Sequence, residues 1–300
     1  MKKVLLASSV LALSAGFASA EISFSGSAVM GVGDDGSPEG ARSILETYLT
    51  ATGSGETDTG LAFGIKTTVA TYDTDGGLDD DGTSAFISGA FGKLSMGSVA
   101  EADEVATFSD IGGLSGLGVD NIAESFTGDS YGRETHDVNY TYSGGALTAA
   151  ISAHIGAAGE GDGYAVGLKY DFGDAYVGIG YNDDNVSANA GTVTSLYAGG
   201  TFGAVGVKAM VSEYDPDAAG NNLNAYGLHV DYTVDALTLS AQYSTSELVN
   251  PISGDDYEAF GIGAAYDLGG GASVVGGVAQ ITDYDRDDET VWEAGLSFEF

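Results

Sequence analysis

The 300-residue sequence contains no cysteine. That excludes a disulfide framework, thiolate catalysis and any cysteine-ligated metal. Proline is almost as scarce, with three, and there are one Trp and three His. Bases are the most telling shortage: nine Lys and Arg stand against 44 Asp and Glu, a formal net charge of −35. Such a field repels nucleic acid and the anionic headgroups that attract basic proteins. It draws in cations instead, divalent ones above all. Beyond the first twenty residues there is no continuous apolar run long enough for a membrane helix.

What is abundant is glycine, 48 residues, more than twice the usual share of about 7%. High glycine with high charge often signals disorder, but disordered chains are poor in aromatics. The 17 Tyr and 12 Phe argue for a folded chain. Residues 1–20 read as an export signal: Lys2 and Lys3, an apolar stretch from Val4 to Ala18, and the small-residue site Ala18-Ser19-Ala20. Cleavage is expected between Ala20 and Glu21, leaving 21–300 as one domain.

From Glu21 onward the hydrophobic period is two, not 3.6. Tyr164, Val166, Leu168, Tyr170 and Phe172 alternate with Ala165, Gly167, Lys169 and Asp171. Tyr226, Leu228, Val230, Tyr232 and Val234 alternate with Ala225, Gly227, His229, Asp231 and Thr233. The alternation predicts sixteen strands, at 22–32, 42–52, 60–72, 83–91, 93–99, 133–143, 146–156, 163–172, 175–183, 192–202, 205–214, 223–234, 236–247, 256–267, 272–283 and 289–300. Many have the ten or so residues that a tilted strand needs to cross a bilayer.

Connections after even-numbered segments are mostly tight, such as Gly203-Ala204 and Asp235-Ala236. Those after odd-numbered segments are mostly longer and acidic, such as GDDGSPEGA and DTDGGLDDDG. A soluble sandwich has no reason to sort turn length by parity, whereas a membrane barrel has short periplasmic turns and long outer loops. The small and polar face then lines water, the apolar face meets lipid, and tyrosines near segment ends form interfacial belts. Lipid demands closure, because an unpaired sheet edge has nothing to bond. Sixteen strands leave an aqueous channel. The predicted fold is therefore all-β, a sixteen-stranded antiparallel transmembrane barrel.

One connection breaks the plan, 100–132, too long for an ordinary turn. It carries Glu101, Asp103, Glu104, Asp110, Asp120, Glu124 and Asp129, and also Phe108, Ile111, Leu114, Leu117 and Phe126. Folding into the barrel would bury the apolar residues on the wall and narrow the channel with carboxylates; an outward acidic flap is the alternative. Strand parity places Lys66, Lys93, Lys169 and Lys208 on the polar face, with Arg133 on the parity of Asp137 and Asn139. Arg42 opens a weakly patterned strand, and Arg286 falls in a loop. Lumen-facing bases are thus Arg42, Lys66, Arg133, Lys169 and Lys208. Part of that placement follows from the bilayer alone, since a base facing lipid costs about 2–4 kcal/mol at the midplane.

Other readings weigh less. A secreted, soluble, calcium-binding β protein would use the carboxylates of DTDGGLDDDG (Asp73, Asp75, Asp79, Asp80, Asp81). The stretch lacks the EF-hand Glu at position twelve and the nonapeptide repeat, leaving only loose Ca²⁺ binding, with no resident cofactor expected. An enzyme would need a nucleophile beside a base. Ser152 and His154 share a strand face, but at i and i+2 they stand about 7 Å apart. His136 falls on the apolar parity.

Three stretches, GETDTGLAFGIK (55–66), TSAFISGAFGKLSMG (83–97) and GIGAAYDLGGGASVVGGVA (261–279), together with the terminal aromatic, resemble the general porins of alphaproteobacteria such as Rhodobacter. The resemblance implies a sixteen-stranded outer-membrane pore, a homotrimer, and a third loop folded in as an eyelet. Its partners would be outer-membrane lipid and lipopolysaccharide, and its cargo ions and small hydrophilic solutes. Glu104, Phe108, Asp110 and Thr127-Gly128-Asp129 match the eyelet positions. Family pores oppose that loop with clustered bases; this chain has few, and Glu46 and Tyr48 stand on strand two where some are expected. A cation-preferring constriction is the expectation. The final VWEAGLSFEF is read as the strand that closes on the first, with Phe300 in the periplasmic-side belt.

Overall fold

The computed structural model describes residues 21–72, 77–106, 110–128, 130, 135–155, 162–185, 189–218, 220–247, 257–282 and 289–300. Sixteen strands follow in order: β1 Glu21–Asp34, β2 Arg42–Glu56, β3 Ala62–Thr71, β4 Asp79–Gly89, β5 Gly92–Gly97, β6 Val138–Gly144, β7 Leu147–His154 and β8 Gly163–Asp171. Then come β9 Ala175–Asp184, β10 Gly191–Phe202, β11 Val205–Pro216, β12 Leu223–Val234, β13 Leu237–Ser246, β14 Tyr257–Gly269, β15 Ala272–Thr282 and β16 Glu289–Glu299. One short helix, α1 (Val119–Ala123), sits between β5 and β6.

Every strand pairs antiparallel with its neighbours in sequence, and β1 pairs β16, so the sheet is a closed barrel. The seam aligns Met30 with Leu296 and Val32 with Ala294. Gly26 and Phe300 extend it, exchanging both backbone hydrogen bonds at 2.8 and 2.9 Å. Connections after even strands are 57–61, 90–91, 145–146, 172–174, 203–204, 235–236 and 270–271. Those after odd strands are all longer, from 185–190 up to 98–137. The tight Asp235-Ala236 turn works because Asp235 adopts φ +52°, a left-handed conformation that Asp tolerates better than most residues.

The alternation becomes two unlike wall faces. One carries large apolar side chains that nothing covers: Phe24, Met30, Ile65, Val166, Leu168, Leu228, Phe260, Ile262 and Trp292 among them. A belt of this extent is far beyond the few hundred Å² that a soluble monomer exposes. The opposite face is small and polar, with Ser152, Ser195, Ser212, Ser244 and Gln242 nearly or fully buried. Among the described residues no helix is long and apolar enough to cross a membrane, a statement that does not bear on strands.

Three boundaries differ from expectation by four residues or more. β6 begins at Val138 rather than 133; Asp137 still bonds Gly97 and Ala153 through its backbone, while the His136 ring turns to Ser152 and Glu101. β4 reaches back to Asp79, so Asp79, Asp80 and Asp81 open a strand instead of lying in a loop. β2 runs on to Glu56, paired with Ala62. Residues 1–20, including Ala20, and also Asp73, Asp75, Phe108, Asp129, Arg133 and Arg286, lie outside the described residues.

The two faces predict opposite responses to one added charge. Leu228→Lys, in the middle of β12 on the apolar face, should destabilise the bilayer-inserted barrel by about 2–4 kcal/mol. Ser25→Lys, on the polar face of β1, should change it by about 0.5 kcal/mol or less. Denaturant titration of protein folded into lipid vesicles measures both. Equal losses would contradict the assignment of the faces.

Candidate functional site

The described residues of the 98–137 connection pack against the polar face of the wall. Their contacts run from β6 round the ring to β1. At its start, Asn139 Nδ2 on β6 donates to Ala100 O at 2.7 Å, and Ala102 N–H donates to Ser152 Oγ on β7 at 2.8 Å. On β9, Asn182 Nδ2 donates to Glu101 Oε2 at 2.8 Å and Asp103 Oδ1 at 3.2 Å. Gly128 N–H donates to Asp103 Oδ2 at 3.1 Å, tying the outgoing limb to the returning one. Glu101 and Asp103 are thus buried carboxylates, each held by donors, as burial requires.

The wall is built to receive this backbone. A Cβ on Gly180 of β9 would stand 2.8 Å from Asp103 Cα, and one on Gly263 of β14 would stand 2.7 Å from Ile111 Cγ2. Only glycine lets the segment approach the wall so closely at these points. Further along, Ala123 joins Tyr197 of β10 and Met210 of β11. Phe126 stacks on Tyr214 of β11, ring centroids 5.5 Å apart. Ile111, Leu117, Val119 and Ile122 form one apolar cluster with Ala259, Ala279 and Val291 of β14, β15 and β16. Each such side chain contributes about 1.5–3 kcal/mol when fully buried. These residues resolve the mixed composition of the segment: the apolar ones cushion it on the wall, and several carboxylates remain beside open space.

At β16 the contact is polar. Glu293, only 3% exposed, accepts Leu114 N–H at 2.7 Å, Ser115 N–H at 3.1 Å and Ser115 Oγ–H at 3.3 Å. Asp110 and the polar-face residues Glu46 and Tyr48 line one cavity of about 370 Å³ with Leu114 and Ser115. A second, of about 300 Å³, joins Asp110 to Arg42, Asp34, Asp35 and Glu293. Asp110 keeps surface in water, but protein surrounds it at longer range. That burial, and then the neighbouring Asp120, push its carboxyl up from 3.8 to about 7. Ile111 N–H, donating at 2.6 Å, works the other way. The folded protein therefore keeps a proton that the unfolded chain has already released between those values, and this group's linkage lowers stability as pH rises through that window.

Glu104 lies against Gly128, Asp120 sits in the first turn of α1, and Glu124 caps its end. The register sets Lys66 opposite Thr52 and Ser84, Lys169 opposite Thr148 and Gly178, and Lys208 opposite Gly199 and His229, all on the polar face. Arg42, opposite Gly33, bonds Asp35 at 3.0 Å, and Lys169 bonds Asp171 at 2.9 Å. Lys93 lies over the Phe86 ring, 4.8 Å from its centroid. Asp80 accepts Gly82 N–H, and Asp81 accepts the Tyr72 hydroxyl. Among the described residues no three His, Cys, Asp or Glu side chains converge as metal ligands.

Two features depart from the sequence reading. His136, placed by parity on the apolar side, is buried with Nδ1 2.6 Å from Ser152 Oγ and 3.8 Å from Glu101 Oε2. It precedes β6, so strand parity does not govern it. Ser152 thus meets His136, not His154, and its oxygen already receives Ala102 N–H. The grouping holds the segment to the wall. Glu293 was legible only as one water-facing residue of the last strand; its partners lie 178 and 179 residues away.

The chain matches the Gram-negative porin family over residues 7–287. It is 34% identical to a porin of Rhodobacter capsulatus over 317 aligned residues, which cover 93% of this chain and all of that one. A solved porin structure superposes with a TM-score of 0.72 at 29% identity, again over 93% of this chain and all of the other. A mutant of Rh. blastica porin superposes with a TM-score of 0.73 over the same shares, at 19% identity, which speaks to the fold alone. The closed sixteen-stranded wall, its uncovered apolar belt and its kinship agree: the chain belongs to the Gram-negative porin family, and its place is the outer membrane.

Proposed function

We propose that the protein is a general diffusion pore whose 100–132 segment constricts a water-filled lumen and makes it cation-preferring. The observation that carries this is the reach of the segment. It touches β6, β7 and β9 at one end and β16 and β1 at the other. Strands so far apart around a closed ring can share one short segment only across the interior. The small, polar face is then the lumen, and the apolar face meets lipid.

Glu101, Asp103, Glu104, Asp110, Asp120, Glu124 and Asp129 supply the charge of the constriction. Glu46 faces Asp110 across one cavity, so the wall of β2 adds a carboxylate where a base would balance the field. Of the wall bases, Arg42 and Lys169 are partly neutralised by Asp35 and Asp171. Lys66, Lys208 and Arg133 are the other bases of the counter-field. Charged rings at a narrow point select ions by sign. Passage is passive and no catalysis is involved. Residues 1–20 are a leader removed before Glu21, and the working form is a homotrimer embedded in lipid and lipopolysaccharide. Asp73, Asp75, Asp79, Asp80 and Asp81 bind divalent cations loosely.

Planar-bilayer recording tests the reading. Reversal potentials in a KCl gradient should take the sign of K⁺ preference, and anion preference would sink the cation assignment. Absence of conductance would remove the pore itself.

Selectivity should also depend on pH. Asp110 is neutral below about 7 and ionised above it. Raising the pH from about 6 to about 8 should therefore shift the reversal potential further toward K⁺. Asp110→Asn should abolish most of that step while leaving the preference at low pH. A step of equal size in the variant would show that another group titrates.

A further inference from the structure

We propose that Glu293 is the positioning residue that fixes the free end of the constricting segment and so sets the pore's effective width. This rests on the pore reading above. The segment is a tongue with two unlike attachments. Its base is redundantly held: Asn139, Ser152 and Asn182 grip residues 100–103, and Asp103 binds Gly128 of the returning limb. The helix and the residues after it rest on β10–β14 through Ala123, Ile122 and Phe126. The tip at 114–115 is different. Among the described residues, its polar contacts go to one side chain, the carboxylate of Glu293.

The geometry suits a carboxylate. One oxygen takes Leu114 N–H and the other takes Ser115 N–H and hydroxyl. A glutamine of the same size offers one acceptor oxygen and turns an NH₂ toward a donor. The wall around Glu293 leaves the tip one seat. A Cβ on Gly31 of β1 would stand 2.6 Å from Leu114 Cδ1, and one on Gly277 of β15 would stand 3.0 Å from Leu117 Cδ1 and 3.1 Å from Gly112 Cα. The ring order β1-β16-β15 places these glycines on the strands flanking Glu293. The tip therefore sits in a glycine-floored groove across three strands with Glu293 at its centre. The two cavities beside it, one lined by Glu46 and the other by Arg42, share Asp110, Ser115 and the edge of the tip. Displacement of 114–115 changes both at once.

Without the carboxylate, water in the lumen can satisfy the freed N–H groups, so the barrel still closes but the tip samples positions away from the wall. Glu293→Gln should remain heat-modifiable and outer-membrane located. Its single-channel record should show open-channel noise raised at least about twofold, and vesicle swelling should show faster entry of a disaccharide relative to a pentose. Glu293→Asp, retaining the charge on a shorter stem, should fall between. Asp231→Asn removes one carboxylate from the β12 wall, away from the segment, and should leave the noise unchanged; this separates anchoring from loss of charge. Should Glu293→Gln fail to assemble, Ser115→Pro deletes the N–H and hydroxyl from the segment side and must give the same noise. A folded Glu293→Gln, or in its place Ser115→Pro, with wild-type noise and solute cutoff overturns the proposal while the pore reading stands. A wild-type protein that does not conduct overturns both.

Discussion

A backbone N–H or C=O facing hydrocarbon has no water to bond, and leaving it unpaired costs several kcal/mol. That constraint governs this molecule. Only a sheet without edges satisfies it, so β1 must find β16, and the seam from Ser27 with Glu299 to Asp34 with Trp292 is where the architecture becomes possible. Gly26 and Phe300 add their own pair of bonds below it. Closure fixes the rest. A closed sheet has one face inside and one outside, and period-two alternation must sort onto them consistently through sixteen strands. A one-residue slip anywhere would turn that strand's polar set toward lipid.

The same closure creates a problem that the long segment answers. Sixteen strands enclose more space than wall side chains can fill. Large wall residues could narrow it, but they would compete for the same volume as the segment. Here the wall is thin instead, with glycine at Gly31, Gly180, Gly263 and Gly277 and serine at Ser152, and the filling comes from 100–106 and 110–128. The apolar residues of that stretch, Ile111, Leu117 and Phe126, give it purchase on Ala259, Ala279, Val193 and Ala225. The glycines at these positions thus have a specific use: they leave room on the wall for the segment.

Much of this was readable from the chain. Alternation and turn length are local quantities, so strand number, connection parity and the face of Lys66, Lys169, Lys208 and Glu46 follow from counting along the sequence. Depth and partnership are not local. Parity could say that Ser152 and Glu293 avoid lipid, but not that one receives Ala102 N–H and the other the tip at 114–115. His136 lies two residues before β6, and its ring turns to Ser152 and Glu101 rather than following the strand's alternation. Contacts of that kind are not local, so parity along the sequence does not report them. Asp79–Asp81 looked like a solvated loop for the same reason: Asp79 and Asp80 gain strand partners, Ala70 and Val69, that composition does not advertise.

Charge is the remaining consequence. In a narrow, water-filled passage between low-dielectric walls, carboxylates repel one another more strongly than in bulk water. Asp110 shows the strain: with burial and Asp120 against it, it keeps its proton to about 7. A proton is one way to relieve that repulsion, and a passing cation is another. Burial is the larger cause of the raised proton affinity, so most of it would persist whatever residue β2 carried; only the like-charge part, from Asp120, is open to relief by a neighbouring positive charge. Glu46 lines the same cavity and supplies no such charge from β2.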